Sequence, residues 1–226
     1  MTNNTPNFQI ILMVGVDIVF LVSLVVKIHL FLKNQNLMNN SPNFISIFDN
    51  TISEEECKQI IHEFEDSKEK QTKGRVGNDK VKIETKKSTD ISYNFRDNSS
   101  TTKIISKSLQ KYVNEYINEY PELDTHVGSW TTFDYFNVQK YKPQEGYFKT
   151  HCEVVDIKSA TRILVWMFYL NSVEDGGTLF PQYEIGIKAI QGRLVIWPAY
   201  WTHLHKGQIS QTQTKYIATG WYNLTV

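Results

Sequence analysis

The chain is poor in the residues on which several common kinds of functional site depend. Its 226 residues include only two cysteines, Cys57 and Cys152, so the sequence implies no disulfide framework. It contains no Cys-x-x-Cys pair, no His-Glu-x-x-His helix, no glycine-rich phosphate loop and no Gly-x-Ser-x-Gly elbow. The usual signatures of zinc, nucleotide and serine-nucleophile chemistry are therefore missing.

An excess of charge of one sign is also missing. Lysine and arginine number 24 and aspartate and glutamate number 24, which gives a formal net charge of +0. A neutral chain shows no sign of a polyanionic partner, so we expect no nucleic-acid ligand. With hydrophobic residues at 41% and aromatic residues at 13%, the chain can bury a core of the size that one catalytic domain needs.

One long hydrophobic run lies near the N-terminus. Residues 8–26 read FQIILMVGVDIVFLVSLVV, which is long enough to span a bilayer as a helix. Each aliphatic residue or Phe favours insertion by roughly 0.3 to 0.6 kcal/mol, and together they outweigh the cost of Asp17, roughly 2.5 to 3.5 kcal/mol. No Lys or Arg precedes the run and no small-residue cleavage site follows it, which argues against a cleaved signal peptide. The sequence therefore predicts a retained single-pass membrane anchor over residues 1–33.

The side of the membrane that the remaining chain would face stays open. Lys27 and Lys33 flank the C-terminal end of the run and favour a cytosolic domain by the positive-inside rule. Glycosylation sequons at Asn39, Asn98 and Asn223 would be usable in a secretory lumen.

Polar residues 34–43 predict a linker, and residues 44–226 a single domain with its core at 130–226. Ser53 followed by Glu56 predicts a capping box at the start of one helix, and a second helix is predicted over Thr101–Glu119. From Trp130 onward, short alternating segments separated by turns favour a two-sheet jelly roll. The predicted fold is mainly β with flanking helices: a double-stranded β-helix preceded by a transmembrane helix.

Three further segments have residue patterns that predict their local structure. Alternating Trp166, Phe168 and Leu170 indicate the core face of a strand. Asp175-Gly176-Gly177 predicts a tight hairpin turn. The basic stretch from Lys68 to Lys87 has few large apolar residues and is typical of a solvated loop, with a mobile lid over a substrate as the alternative.

The main candidate site combines histidines with a carboxylate. In an extended segment His151 and Glu153 would point to the same side, while Cys152 points away. Two histidines further on, His203 and His205, could each supply a third ligand. Two histidines and one carboxylate are the ligand set of mononuclear non-haem iron, which leaves one metal face open for oxygen and a co-substrate.

The region from Val138 to Trp221 resembles the catalytic core of the prolyl-4-hydroxylase-like group of Fe(II)/2-oxoglutarate-dependent dioxygenases. The segments that carry the resemblance, in order, are Gln139-Lys140-Tyr141, Gly146-Tyr147-Phe148-Lys149-Thr150-His151-Cys152-Glu153, Arg162-Ile163-Leu164-Val165-Trp166-Met167-Phe168-Tyr169-Leu170-Asn171, Glu174-Asp175-Gly176-Gly177-Thr178-Leu179-Phe180-Pro181, Gly192-Arg193-Leu194-Val195-Ile196-Trp197 and His205-Lys206-Gly207, followed by Lys215.

The resemblance assigns roles to individual residues. It implies that His205 rather than His203 completes the metal-ligand and catalytic set with His151 and Glu153. It also implies that Lys215, helped by Tyr141, holds the remote carboxylate of 2-oxoglutarate. The group usually has Asp where this chain has Glu153, and the longer side chain keeps both the charge and the oxygen donor.

The implied function is hydroxylation of a peptidyl residue, with proline as the leading substrate and a peptide or protein as partner. The implied cofactors and co-substrates are Fe(2+), 2-oxoglutarate, O2 and L-ascorbate. Two alternatives remain open: a hydroxylase of lysine or of a small molecule, and a non-catalytic module that binds iron and 2-oxoglutarate.

Overall fold

The computed structural model describes residues 22–29, 42–77 and 80–225. The chain divides into two compact units, Met1–Asn43 and Phe44–Val226. In the first unit, the described residues form one helix, α1, over 22–29.

The predicted transmembrane helix is not supported by the structure. None of the helices in the described ranges has the length and apolarity needed to cross a membrane. The prediction of a single-pass anchor over residues 1–33, and the membrane localisation drawn from it, is therefore wrong for these residues. Residues 1–21 of the predicted anchor and residues 30–41, which include most of the predicted linker, lie outside the described ranges.

Three helices belong to the second unit: α2 (Glu54–Asp66), α3 (Ser100–Glu119) and α4 (Glu122–His126). The capping box predicted for α2 is confirmed, because the Ser53 hydroxyl accepts from the Glu56 amide and the Glu56 carboxylate accepts from the Ser53 amide. The long helices bury one apolar stripe each, made of Cys57, Ile60 and Phe64 in α2 and of Ile105, Leu109, Val113 and Tyr116 in α3.

The strands of the second unit are β1 (Ser46–Phe48), β2 (Thr72–Lys73), β3 (Thr89–Asn94), β4 (Trp130–Thr132), β5 (Tyr135–Tyr141), β6 (Arg162–Tyr169), β7 (Val173–Phe180), β8 (Ile185–Ala189), β9 (Leu194–Pro198), β10 (Lys206–Gly207) and β11 (Lys215–Leu224). In the described part of the chain they form two antiparallel sheets. The larger sheet has the order β1-β9-β6-β11-β5-β3-β2 with β4 also paired to β11, and the smaller has the order β10-β7-β8. This mainly β, two-sheet architecture agrees with the predicted jelly roll.

The larger sheet has two different faces because side chains alternate along each strand. One face packs on the helices and forms a core that includes the predicted stripe of Trp166, Phe168 and Leu170, all fully buried. The opposite face belongs to a second core between the sheets and to a cavity.

The cavity face is built from residues that are aligned across neighbouring strands. Lys215 on β11 pairs with Tyr141 on β5. Two further rows run across β3, β5, β11 and β6: Asp90, Gln139, Ile217 and Tyr169, then Ser92, Asn137, Thr219 and Met167.

The predicted turn at Asp175-Gly176-Gly177 is wrong, because these residues lie inside β7. Both glycines are needed for close packing within the sheet. A Cβ on Gly177 would lie 2.2 Å from the carbonyl oxygen of Ile187 on β8, and a Cβ on Gly176 would lie 2.5 Å from Val173 Cγ1. The Asp-Gly-Gly pattern therefore reflects a close approach of strands β7 and β8, at a point where the pairing of the two strands is irregular.

The basic stretch from Lys68 to Lys87 is more ordered than a solvated loop. It contains a 3₁₀ turn at Lys68–Lys70 and strand β2, which pairs with β3. Lys86 is only 5% exposed and forms an ion pair with Asp90 at 2.7 Å. The alternative, a lid that moves, stays a prediction.

Candidate active site

A cavity of about 760 Å³ lies against the second face of the larger sheet. Its wall contains every residue that was predicted to act at the site: His151, Glu153, His205, Lys215 and Tyr141. These residues come from separate parts of the chain, and only the folded sheets bring them to one cavity.

The backbone joins the two segments that carry the histidines. His151 and His205 form an isolated antiparallel bridge, in which the amide of each donates to the carbonyl of the other at 2.9 Å. Glu153 follows in a bend, where its amide donates to the Ala199 carbonyl at 3.0 Å. The expectation of a regular strand through His151 and Glu153 is therefore wrong, although both side chains still face the cavity.

The three side chains converge on one point. His151 Nε2 lies 3.3 Å from Glu153 Oε1, and His205 Nε2 lies 3.5 Å from the same oxygen. One donor atom from each of the three residues lies within 4.8 Å of the others. Two nitrogens and one carboxylate oxygen at this spacing fit a single metal ion with open coordination positions.

Each imidazole is held in the orientation that a metal ligand requires. His151 Nδ1 lies 3.1 Å from the Lys149 carbonyl, and His205 Nδ1 lies 2.9 Å from the His203 carbonyl. A carbonyl only accepts, so Nδ1–H is the donor in both rings, and Nε2 is the nitrogen directed at Glu153 and at a metal position.

Glu153 is ionised in this setting. Burial raises its pKa, but hydrogen bonds and positive charge from His151 and His205 outweigh burial and hold the pKa well below its ordinary value. A carboxylate must be deprotonated to bind a metal, and this one meets that condition.

Aromatic rings fix the two histidines from the side. Tyr147 stacks on His151 with ring centroids 3.6 Å apart. Trp197 and Phe180 lie beside His205, with centroids at 5.1 Å and 5.6 Å. These contacts restrict ring rotation and exclude water from one side of the site.

The second carboxylate oxygen of Glu153 has partners that the sequence did not reveal. Trp221 Nε1 donates to Glu153 Oε2 at 3.0 Å, and Arg162 Nη1 lies 3.6 Å from that oxygen. Arg162 also donates to the Glu153 carbonyl at 3.0 Å and stacks on the Trp221 indole at 3.7 Å. The alternation along β11 places Trp221 on the same face as Lys215, which is the signal that could have identified it.

Lys215 also lines the cavity and is 6% exposed. Its ammonium donates to the carbonyls of Gly176 at 2.7 Å and Gln208 at 3.0 Å. An ammonium has three N–H groups, so one remains for a ligand in the cavity. Burial lowers the pKa of Lys215 to about 8, against a smaller opposing effect of Asp175.

Tyr141 lies beside Lys215 but presents its ring rather than its hydroxyl. The Lys215 ammonium is 5.5 Å from the Tyr141 ring centroid, and the Tyr141 hydroxyl donates to Gln139 Oε1 at 2.6 Å. Tyr141 is thus fixed by Gln139, which sequence reasoning had not singled out as a site residue.

The structure distinguishes between the two candidates for the third metal ligand, His203 and His205. His203 is buried in a 3₁₀ turn, with Nε2 3.4 Å from the Tyr183 hydroxyl and Nδ1 2.9 Å from Thr202 Oγ1. His205 is the histidine that joins His151 and Glu153 in the three-residue cluster.

Comparison with known proteins finds a family model that matches the region of the site. Residues 136–223 match the model of the 2OG-Fe(II) oxygenase superfamily. The matched region includes the three clustered side chains and Lys215. No curated protein matches the sequence significantly.

Solved structures share the fold at low sequence identity. The viral collagen prolyl hydroxylase of Paramecium bursaria Chlorella virus-1, in its 2OG complex, is 20% identical with a TM-score of 0.59, over 80% of this chain and 97% of that chain. A Pseudomonas putida prolyl-4-hydroxylase is 14% identical with a TM-score of 0.62, over 80% and 93%. A Trichoplax adhaerens prolyl hydroxylase, in complex with a hypoxia inducible factor oxygen degradation domain peptide fragment, is 17% identical with a TM-score of 0.62, over 83% and 86%.

Proposed function

We propose that this chain, a member of the 2OG-Fe(II) oxygenase superfamily through residues 136–223, hydroxylates a peptidyl residue, and that the residue is proline. The observation that carries the proposal is the convergence of His151, Glu153 and His205 on one point of a cavity that also contains Lys215. A metal position and a carboxylate-binding cation in one cavity are what a 2-oxoglutarate-dependent dioxygenase needs.

The family implies Fe(2+), 2-oxoglutarate and O2, and the donor set of the site fits that metal. When bound, Fe(II) supplies the activation of O2. Overall, 2-oxoglutarate and O2 become succinate and CO2; one oxygen atom enters succinate and the other enters the substrate C–H bond. We add L-ascorbate to the proposal as the reductant that keeps the metal ferrous.

The residues of the chain supply orientation. In the proposal His151, Glu153 and His205 bind the metal and leave one side of it open toward the cavity. Lys215 binds the remote carboxylate of 2-oxoglutarate through its remaining N–H, and a charge-assisted hydrogen bond at a 6% exposed position is strong enough to set the direction of the ligand. Tyr141, held by Gln139, closes the cavity beside that carboxylate.

A peptidyl proline is supported by the aromatic residues at the outer part of the cavity. Phe133 is 40% exposed and Tyr135 is 49% exposed, and Phe133 packs edge-on against Trp221 with centroids 6.4 Å apart. All three line the cavity. Exposed aromatic rings are the usual contact surface for proline-containing segments. The three structural relatives described above are prolyl hydroxylases by name, and one is bound to a peptide fragment.

The test is peptide-stimulated turnover of the full chain. Succinate is measured with Fe(II), ascorbate and 2-oxoglutarate, with a proline-rich peptide, with the same peptide carrying Ala for Pro, and without peptide. We expect stimulation by the proline peptide alone and a mass gain of one oxygen on it. Equal succinate in all three reactions would keep the oxygenase and reject the proline substrate in favour of lysine or a small molecule. No succinate from folded, iron-loaded protein would support the non-catalytic module.

A further inference from the structure

We propose that the peptide substrate is acidic, and that a cationic mouth formed by Lys70, Lys73 and Lys158 recognises it. The inference rests on the proposed function, because it names the class of peptide that the same cavity would accept. All three lysines line the cavity and all three are exposed.

The wall of the cavity is more basic than the chain as a whole. Its basic residues are Lys70, Lys73, Arg75, Lys86, Lys158, Arg162 and Lys215, and its acidic residues are Asp90, Glu153 and Asp156. The whole chain has a formal net charge of +0, so positive charge is concentrated at this cavity. Such a concentration raises the local abundance of anionic ligands.

Two of the cationic side chains of the cavity wall already have carboxylate partners. Lys86 pairs with Asp90 at 2.7 Å, and Arg162 lies 3.6 Å from Glu153. In the proposed function Lys215 is reserved for 2-oxoglutarate. These three cations of the cavity wall, Lys86, Arg162 and Lys215, are therefore not assigned to a peptide.

The cationic mouth is different, because its lysines have no carboxylate within ion-pair distance in the described ranges. Asp156, the acidic residue of the cavity wall nearest in sequence to Lys158, uses its carboxylate to accept from the Ser159 amide at 3.0 Å and from the Ser159 hydroxyl at 2.8 Å. The lysine ammonium groups are thus available to carboxylates from outside the chain.

The lysines come from two segments that meet at the cavity. Lys70 ends the 3₁₀ turn before β2, and Lys73 lies on β2 at the edge of the larger sheet. Lys158 lies in the 3₁₀ turn Ile157–Ser159 of a separate segment. A Cβ on Gly77 would lie only 3.5 Å from Val155 Cγ2, so the first segment reaches the second. In the proposal, a peptide bound in the cavity contacts lysines from both segments and the exposed aromatic rings that line the same cavity.

An acidic peptide fits these features better than a nucleic acid. A protein that contacts about 6 to 10 phosphates uses a comparable number of cations, whereas the mouth offers three lysines. Exposed aromatic rings next to a small number of cations suit a proline flanked by Asp or Glu.

The experiment compares three peptides with one central proline and with Glu, Gln or Lys in the flanking positions. KM and kcat for hydroxylation, and the dissociation constant by fluorescence anisotropy, are measured on the full chain at about 50 mM and 500 mM salt. We expect the Glu peptide to have a KM and a dissociation constant on the order of tenfold lower than the Gln peptide at low salt, and the difference to shrink at high salt. The Lys peptide should be the weakest.

Charge reversal tests the assigned lysines. Lys70→Glu/Lys73→Glu and Lys158→Glu should each remove most of the preference for the Glu peptide. The matched control is Lys103→Glu/Lys107→Glu, which reverses two exposed lysines of α3 outside the cavity wall and should keep the preference. Because all of these side chains are exposed, the variants should fold.

The outcomes separate this inference from the proposed function. Equal KM values for the three peptides, or equal losses in the control, would overturn the acidic-peptide inference and leave prolyl hydroxylation intact. Tight, lysine-dependent binding of the Glu peptide without oxygen transfer would support the cationic mouth and reject the proline substrate. A single-stranded oligonucleotide that displaces the Glu peptide through the same lysines at lower concentration would overturn the inference.

Discussion

The indole of Trp221 donates its N–H to Glu153 Oε2 at 3.0 Å, while Glu153 Oε1 faces both histidines. One oxygen of the carboxylate is therefore held by the sheet and the other is directed at the proposed metal. A glutamate has one more rotatable bond than an aspartate, and the Trp221 contact removes the freedom that this bond adds.

Trp221→Phe should weaken metal binding. It keeps an aromatic ring for Arg162 to stack on but removes the hydrogen bond to Glu153. Loss of a hydrogen bond to a ligating carboxylate typically costs about 10- to 100-fold in metal affinity. The measurement is the dissociation constant for Fe(II) or Co(II) by anaerobic titration. Trp201→Phe changes a tryptophan that is 71% exposed and serves as the control. If both variants bind metal like the parent chain, Trp221 does not position Glu153.

His205→Ala should abolish both metal binding and turnover, whereas His203→Ala should keep most of each. The reason is geometric: His205 Nε2 faces Glu153, and the His203 ring faces Tyr183 and Thr202. Titration with Fe(II) and a succinate assay report the two effects, and a thermal melt reports the cost of removing the buried His203 side chain. The reverse order of losses would show that His203 is the ligand.

Lys215→Ala should raise the concentration of 2-oxoglutarate needed for turnover. A hydrogen bond to a charged group contributes about 1.5 to 3 kcal/mol, which corresponds to about a 10- to 100-fold rise in KM for 2-oxoglutarate. Lys188→Ala, at an exposed lysine of β8, is the control. An unchanged affinity for 2-oxoglutarate in the Lys215 variant would contradict the assignment.

The affinity for 2-oxoglutarate should fall at alkaline pH. Only the protonated Lys215 attracts a carboxylate, and burial lowers the pKa of this lysine to about 8 in the ligand-free chain. The proton is therefore present well below pH 8 and is lost as the pH rises through 8, which weakens binding. KM for 2-oxoglutarate is measured from about pH 6.5 to 9.5. Lys215→Arg should flatten the profile because arginine stays charged, and a profile that is equally steep in both proteins would assign the effect to another group.

Sequence patterns were sufficient where a single local rule decides the structure. Ser53 and Glu56 satisfy each other's backbone groups within one turn, so the start of α2 could be identified from the sequence. Trp166 and Phe168 alternate as a buried strand requires, and both are fully buried. The pair His151 and Glu153 could be recognised from spacing, and the resemblance to a known family selected His205 from the two remaining histidines.

Sequence patterns failed where distant parts of the chain decide the structure. Gly176 and Gly177 resemble a turn, but the close approach at Gly177 depends on Ile187, which belongs to the strand β8 that follows later in the chain and pairs with β7. Trp221 and Glu153 are far apart in sequence, so nothing local indicates their hydrogen bond. The hydrophobic N-terminal run indicated a membrane helix, but none of the helices in the described ranges has the length and apolarity to cross a membrane.

The side chains of β11 alternate between the cavity and the buried core, so the same strand determines both the chemistry of the site and the stability of the fold. Lys215, Ile217, Thr219 and Trp221 line the cavity, and the residues between them, Tyr216, Ala218 and Gly220, face the helix side or lie buried next to it. Inserting or deleting one residue in this strand would exchange the two sets. It would remove the lysine ammonium from the cavity, and it would place Thr219 or Trp221 at the position where Gly220 now packs against Trp166 and Phe136. Substitutions that change substrate preference can therefore accumulate at the cationic mouth, where single residues vary independently. The strands that line the cavity can change only by substitutions that keep their length.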